Sequence, residues 1–221
     1  MVVDGEALRR WTTGLLAGTA LLAIASVVTH FTARKTPLHA YFSLSGEYNL
    51  PAYWNAALLG LVAAAAVASG LFTPRGAGRW GWFVVGAATL FMSVDEATQI
   101  HERTAGLVTN NPLPTFAWVV VGVPLAAALV VLLALATRAV EPSLRRRLAV
   151  ALAIYLVGAL VLEAFSGYFW RQLRPNVSEA FATGEEVLEM VACIYALHVI
   201  VASWLPMRIS VRHRSSGAPS D

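Results

Sequence analysis

The chain has 221 residues, of which 57% are hydrophobic and only 13% are charged. Soluble domains carry about 25% charged residues, so this composition excludes an ordinary soluble domain and predicts an integral membrane protein. The net charge of +3 comes from basic residues in short loops. That pattern is typical of membrane topology signals and does not indicate nucleic-acid binding. The single cysteine, Cys193, excludes a disulfide within the chain.

Six apolar segments are long enough to cross a membrane as helices, which takes about 20 residues. In chain order they cover residues 11–31, 50–72, 80–99, 116–137, 148–170 and 181–204. We therefore predict an all-α, polytopic transmembrane bundle of about six spans, in one domain over residues 1–206. The polar tail, residues 207–221, is predicted to be cytoplasmic and disordered. The expected partner is the lipid bilayer, and assembly into a homo-oligomer is an open alternative.

The loops predict the orientation, because cytoplasmic loops of membrane proteins carry an excess of Lys and Arg. With the N-terminus in the cytoplasm, the inner segments hold 11 of the 16 basic residues. These are Arg9, Arg10, Arg75, Arg79, Arg138, Arg145, Arg146, Arg147, Arg208, Arg212 and Arg214. Both termini are therefore expected in the cytoplasm, and the chain is expected to be a multi-pass protein of the bacterial inner membrane.

The first span has an alternative interpretation. The stretch RRWTTGLLAGTALLAIAS, from Arg9, resembles a signal peptide with AIA as a cleavage site. The apolar run continues past this site to Val28, and Asp4 and Glu6 weaken the positive charge that a signal peptide needs. We therefore favour an uncleaved first helix. Cleavage would leave five spans in the same orientation.

The acidic residues are unevenly distributed across the predicted membrane. Four lie at or beyond the cytoplasmic surface, and the other nine fall in the outer half. These nine are Glu47, Asp95, Glu96, Glu102, Glu163, Glu179, Glu185, Glu186 and Glu189. Because lipid cannot solvate carboxylates, they predict a polar site that faces the bundle interior or a wet cavity.

Helix geometry places these acids more closely. At about 1.5 Å per residue, Asp95, Glu163 and Glu189 all lie about 22–24 Å from the inner surface. A second level, at about 27–29 Å by the same count, consists of Glu185, Glu186 and His30. At about 100° per residue, Glu102 falls within roughly 60° of Asp95, while Glu96 and His101 turn about 100° and 120° away.

Carboxylates this close need compensation, because like charges cannot all stay ionised side by side. A divalent metal is one compensator, with His101 or His30 as nitrogen ligands. Protons are the second and would make the cluster a proton relay or coupling site. The third is arginine, supplied by Arg103, Arg171 or Arg174 at the outer ends.

The predicted metal site consists of Asp95, Glu102, Glu163, Glu186, Glu189 and His101. A second tier consists of Glu47, Glu96, Glu185 and His30. Structural alternatives remain: Asp95 and Glu102 could hold helices together as a buried hydrogen-bonded pair, and Glu47 could cap the second helix. The chain has no His-Glu-x-x-His motif, no Walker loop, no Gly-x-Ser-x-Gly elbow and no pair of Glu-x-x-His motifs for a di-iron site.

Three segments together carry a resemblance: GEYNLPAYWNAALL from Gly46, FMSVDEATQIHE from Phe91 and GEEVLEMVACIYAL from Gly184. They resemble a family of uncharacterised bacterial six-span membrane proteins that is common in actinobacteria. The resemblance implies the six-span fold and selects the same acidic residues. It implies no activity, substrate or metal.

Three functions follow from this pattern. The first is a metal-binding membrane protein, with a metal-dependent enzyme on lipid or envelope substrates as its extended form. The second is a proton- or cation-coupled transporter, against which stands the absence of acids from the cytoplasmic half of the spans. The third is a structural or assembly protein whose acids bind the outer arginines.

Overall fold

The computed structural model describes residues 4–108 and 110–205, and within these ranges the chain is helical with no strand. The all-α prediction is confirmed. The helices are α1 (Gly5–Ala33), α2 (Pro37–Phe42), α3 (Leu50–Phe72), α4 (Ala77–Thr98), α5 (Ile100–Arg103), α6 (Val119–Ala136), α7 (Pro142–Leu156), α8 (Glu163–Arg171) and α9 (Pro175–Ala202). The tail predicted to be disordered, residues 207–221, lies outside the described residues.

The helix ends follow from local chemistry. Asp4 caps α1 by accepting a hydrogen bond from the Ala7 N–H at 2.7 Å. Asn49 caps α3 in the same way, through the Ala52 N–H at 3.2 Å. Such caps satisfy N–H groups that have no partner within the helix. Helix α4 ends at Thr98 because the next residue, Gln99, adopts a left-handed backbone, with φ 56° and ψ 46°.

Four helical stretches are long and apolar enough to cross a membrane: Gly5–Ala33, Leu50–Phe72, Val119–Ala139 and Pro142–Arg171. The chain is therefore a membrane protein. The other two predicted spans are also long helices, α4 with 22 residues and α9 with 28. They are less apolar, and they carry most of the acids predicted to form the site.

Helices α3 and α9 form the centre of the bundle. Leu58, Leu59 and Ala66 of α3 and Met190 and Ile200 of α9 are at most 2% exposed. Helix α3 packs mainly on α4, and α9 packs on α7 and α8. In the Val119–Ala139 stretch only 6% of the most apolar window is buried, so nearly all of this apolar surface is left for lipid.

A π-helical turn, Val157–Leu162, connects α7 and α8. A π turn holds one extra residue and rotates the helix that follows it. A Cβ added at Gly158 in this turn would lie 2.9 Å from the Glu185 backbone oxygen and 3.1 Å from Glu189 Cγ. Helix α9 therefore rests directly on the turn, which brings Glu163 at the start of α8 close to the acidic face of α9.

Candidate functional site: an acidic cavity

A cavity of about 690 Å³ lies between α4, α6, the α7–α8 segment and α9, with residues of the α2–α3 loop in its wall. All nine acids predicted for the outer half line this one cavity: Glu47, Asp95, Glu96, Glu102, Glu163, Glu179, Glu185, Glu186 and Glu189. Chain segments far apart in sequence therefore deliver their carboxyl groups to one place. Whether these residues bind a metal stays a prediction.

The histidines predicted for the site are placed differently. His101 lines the cavity. His30 does not, although its Nδ1 lies 3.9 Å from Oε1 of Glu179, which does line the cavity. Of the ten predicted site residues, His30 is thus the one that the structure leaves outside the cavity wall.

The predicted orientation of His101 is wrong. It assumed one continuous helix from Asp95 through Glu102, whereas the left-handed Gln99 ends α4 and starts a new turn, α5. This break in the helix places His101 next to Asp95. Asp95 Oδ1 accepts the His101 N–H at 2.8 Å, and Asp95 Oδ2 lies 2.8 Å from His101 Nδ1.

The pairing with Asp95 changes the acid–base behaviour of His101. Burial by itself lowers the pKa of the imidazole, but the hydrogen bond to Asp95 and the charges of Asp95, Glu96 and Glu47 together outweigh burial and raise the pKa from 6.5 to about 9. At neutral pH, with no metal bound, the ring is then protonated and is a positive charge in the cavity wall. Whether His101 binds a metal stays a prediction.

We expect Asp95→Asn to lower the melting temperature by roughly 4–8 °C at neutral pH, because it removes a charge-assisted pair. A raised histidine pKa stabilises the fold fully below pH 6.5 and loses this effect as the pH rises through about 9. The difference between variant and wild type should therefore be largest below pH 6.5 and shrink above pH 9. Glu6→Gln, at an exposed pair with Arg10, is the control, and a difference that is constant from pH 6 to 10 would contradict the pairing.

Glu163 is held by a tryptophan. Trp118 Nε1 donates to Glu163 Oε1 at 2.9 Å, and the Trp118 ring lies 4.9 Å from the His101 ring, centroid to centroid. Trp118 therefore links the acid of α8 to the histidine of α5. Glu163 also lies close enough to Glu185 of α9 for the two carboxyl groups to interact.

The deepest acid, Glu189, is 5% exposed and is held by Asn55 of α3, which is fully buried. Asn55 Nδ2 donates to Glu189 Oε2 at 3.0 Å. Within the described residues, the amide oxygen of Asn55 and Oε2 of Glu186 are both buried and have no hydrogen-bond partner. Buried polar atoms are rarely left unpaired, so Oε2 of Glu186, in the cavity wall, is available to a donor or a cation.

The outer arginines do not provide compensation within the part of the chain that the structure describes. There, Arg103, Arg171 and Arg174 make no ion pair with a cavity acid. The arginine in the cavity wall is Arg34, whose guanidinium donates to the Asn176 side chain at 3.3 Å. Binding of the acids by outer arginines, which the structural alternative needs, thus has no contact to support it.

A second cavity, of about 570 Å³, lies towards the other ends of α4, α6, α7 and α9. Its wall is mostly apolar, with Arg138, Arg145 and Arg146 among its lining residues. Met92 and Tyr155 line both cavities. These two side chains therefore lie at the boundary between the acidic and the apolar cavity.

The sequence interpretation missed three residues of this region. Asn55 was detectable, since it is an amide within an apolar run. Trp118 and Tyr155 were not among the predicted site residues. Neither has a sequence signal for its role, because each role depends on which helix faces it.

A family model described as a domain of unknown function (DUF8692) matches residues 13–204. No curated protein and no solved structure matches the chain significantly. The matched range contains every acid that lines the cavity. It agrees with the resemblance to a family without an assigned activity.

Proposed function

Since the chain belongs to the DUF8692 family, a domain of unknown function, we propose a function from its own cavity. In this proposal, the chain is a multi-pass protein of the bacterial inner membrane, with six spans and both termini in the cytoplasm. It binds a divalent cation in the outer half of the bundle. The two acid-bearing helices, α4 and α9, supply the third and the sixth span in chain order, and a polar cavity between helices makes their acids tolerable.

The observation that carries this proposal is the imbalance of charge in the cavity. Nine carboxyl groups line it, and among the described residues of its wall only Arg34 and His101 can carry a positive charge. A low-dielectric cavity penalises unpaired negative charge strongly. Cations or protons must therefore accompany these acids.

The inner end of the cavity favours a metal ion over protons alone. Glu186 and Glu189 lie one helical turn apart on α9, and Glu96 of α4 is close enough for its charge to act on both. Asn55 holds Glu189 through the hydrogen bond from its Nδ2. Carboxylate oxygens are ligands that Mg²⁺, Mn²⁺ and Ca²⁺ prefer.

The test is Mn²⁺ binding to detergent-purified protein. Binding is measured as the decrease in the electron paramagnetic resonance signal of free Mn²⁺. Wild type should bind saturably with near one-to-one stoichiometry. The double variant Glu186→Gln/Glu189→Gln should bind at least about 100-fold more weakly, because the charge of the ligand set controls affinity over several decades. Glu6→Gln/Glu141→Gln is the matched control, since it removes two exposed acids outside the cavity.

Two results would overturn the proposal: folded wild type that binds neither Mn²⁺ nor added Mg²⁺ or Ca²⁺ saturably, or a cavity double variant that binds like the control. A metal-dependent enzyme acting on lipid or envelope substrates would use the same cation. Its activity would then be lost in the same double variant.

A cation-coupled transporter is the second candidate, favoured by the two cavities that meet at Met92 and Tyr155. In this version the cation occupies the acidic cavity. The apolar cavity, with Arg138, Arg145 and Arg146 in its wall, suits an anionic amphiphile and does not suit a bare cation. A transporter requires the boundary to open, whereas a binding protein does not.

A further inference from the structure

A second group of metal-ligating side chains lies beside the acidic cavity, at the outer ends of α1, α2 and α9. It consists of His30, His39 and Glu179, each of which offers one ligand atom within 4.8 Å of the other two. Only Glu179 also lines the cavity. We infer that these three residues form a separate mononuclear site for a zinc-type divalent metal, an inference that goes beyond the proposed cation cavity.

The strongest observation is an unsatisfied pair. His30 is 7% exposed, and in the part of the chain that the structure describes neither its Nδ1 nor the facing Oε1 of Glu179 has a hydrogen-bond partner. The two atoms are 3.9 Å apart. This is too long for a hydrogen bond, which spans about 2.7–3.2 Å. It is close to the roughly 3.4 Å between two ligands of a tetrahedral zinc ion with bonds of about 2.0–2.1 Å.

The hydrogen bonds around His39 can leave one of its nitrogens free for a metal. Thr29 Oγ1 has a single proton and lies 2.8 Å from the Ala25 carbonyl and 3.1 Å from the Ser26 carbonyl. It also lies 3.3 Å from His39 Nδ1, and either group can be the donor of that contact, depending on the tautomer. When the hydroxyl donates to a carbonyl, the N–H on Nδ1 is the donor and Nε2 keeps a lone pair, the form that binds metals.

The carboxylate is oriented as well. Ser45 Oγ donates to Glu179 Oε2 at 2.7 Å, and Ser43 Oγ lies 3.0 Å from Ser45 Oγ. Oxygen Oε1 is left to face His30. Outer hydrogen bonds of this kind fix the first-shell ligands of metal sites.

The ligand set indicates the class of metal. Two imidazoles and one carboxylate suit Zn²⁺, Fe²⁺ and similar first-row ions, whereas Mg²⁺ and Ca²⁺ prefer oxygen ligands alone. Three protein ligands leave a fourth position open on zinc, as in catalytic zinc sites. The acidic cavity and this site should therefore select different ions.

The test is binding of Zn²⁺ and Co²⁺ to the full-length protein in detergent, by equilibrium dialysis and by the visible absorption of tetrahedral Co²⁺. Wild type should bind one ion. His39→Ala and Glu179→Gln should bind at least about 100-fold more weakly, since loss of an outer-shell partner alone costs about 10–100-fold. His198→Ala is the matched control, because this half-buried histidine bonds Thr12 far from the site and should bind like wild type.

His39 and Glu179 are only partly buried, so their variants keep the test valid if His30→Ala fails to fold. The inference is overturned if folded wild type takes up no stoichiometric Zn²⁺ or Co²⁺, or if His39→Ala and Glu179→Gln bind like wild type. Zinc binding that is lost in Glu186→Gln/Glu189→Gln and retained in His39→Ala would overturn this site and leave the acidic cavity standing. Conversely, a protein that binds Zn²⁺ through His39 and Glu179 but binds no Mn²⁺ would keep this site and overturn the acidic cavity.

Discussion

Gly158→Ala lowers the melting temperature of the detergent-solubilised protein by roughly 3–9 °C, corresponding to about 1–3 kcal/mol for overpacking a tight contact. The added Cβ would lie 2.9 Å from the Glu185 backbone oxygen, which cannot move unless α9 moves with it. Displacement of α9 also shifts Glu185 and Glu189, so cation binding in the cavity weakens together with stability.

Gly60→Ala is the matched control for this prediction. The glycine also lies within a long helix, α3, but an added Cβ there would meet Ser93 Oγ at 3.5 Å, an ordinary contact. Alanine is the better helix former by about 1 kcal/mol, so this variant should be neutral or slightly stabilising. Equal melting temperatures for the two variants would mean that α9 does not rest on the π turn.

Tyr155→Ala connects the two cavities, because it removes one of the two side chains that line both. The native cysteine can serve as a probe for an opening between the cavities. Cys193, the single cysteine, lines the apolar cavity and is 4% exposed. A buried thiol is unreactive. We expect a membrane-impermeant maleimide, added outside right-side-out vesicles, to label the variant roughly tenfold or more faster than wild type.

The controls for this experiment lie on the same helices. Tyr155→Phe keeps the ring and should label like wild type, and Tyr195→Ala removes a tyrosine that lines neither cavity. Unchanged labelling of Tyr155→Ala would show that the boundary is formed elsewhere. The two candidate functions separate in wild type, where a transporter should change its Cys193 labelling when Mn²⁺ is added and a binding protein should not.

The acidic cavity shows how far helical counting reaches. Glu163 and Glu189 were placed at one depth from the rise per residue alone, and both line the cavity. Depth follows from the sequence, because it depends only on how many residues separate an acid from the end of its span. The direction in which a side chain points can be counted only while the helix stays regular. The prediction for His101 therefore failed at Gln99, where the backbone turns left-handed.

The composition and the spacing of apolar runs by themselves determined that this is a helical membrane protein, with its acids grouped on one side. Both follow from the cost of exposing backbone and charged groups to lipid, which every segment meets separately. Only the tertiary structure decided which groups meet. Asn55 with Glu189, Trp118 with Glu163 and His30 with Glu179 join residues 45 to 149 positions apart. Such pairs depend on helix rotation and on the π turn, which packing between helices fixes and no single segment encodes.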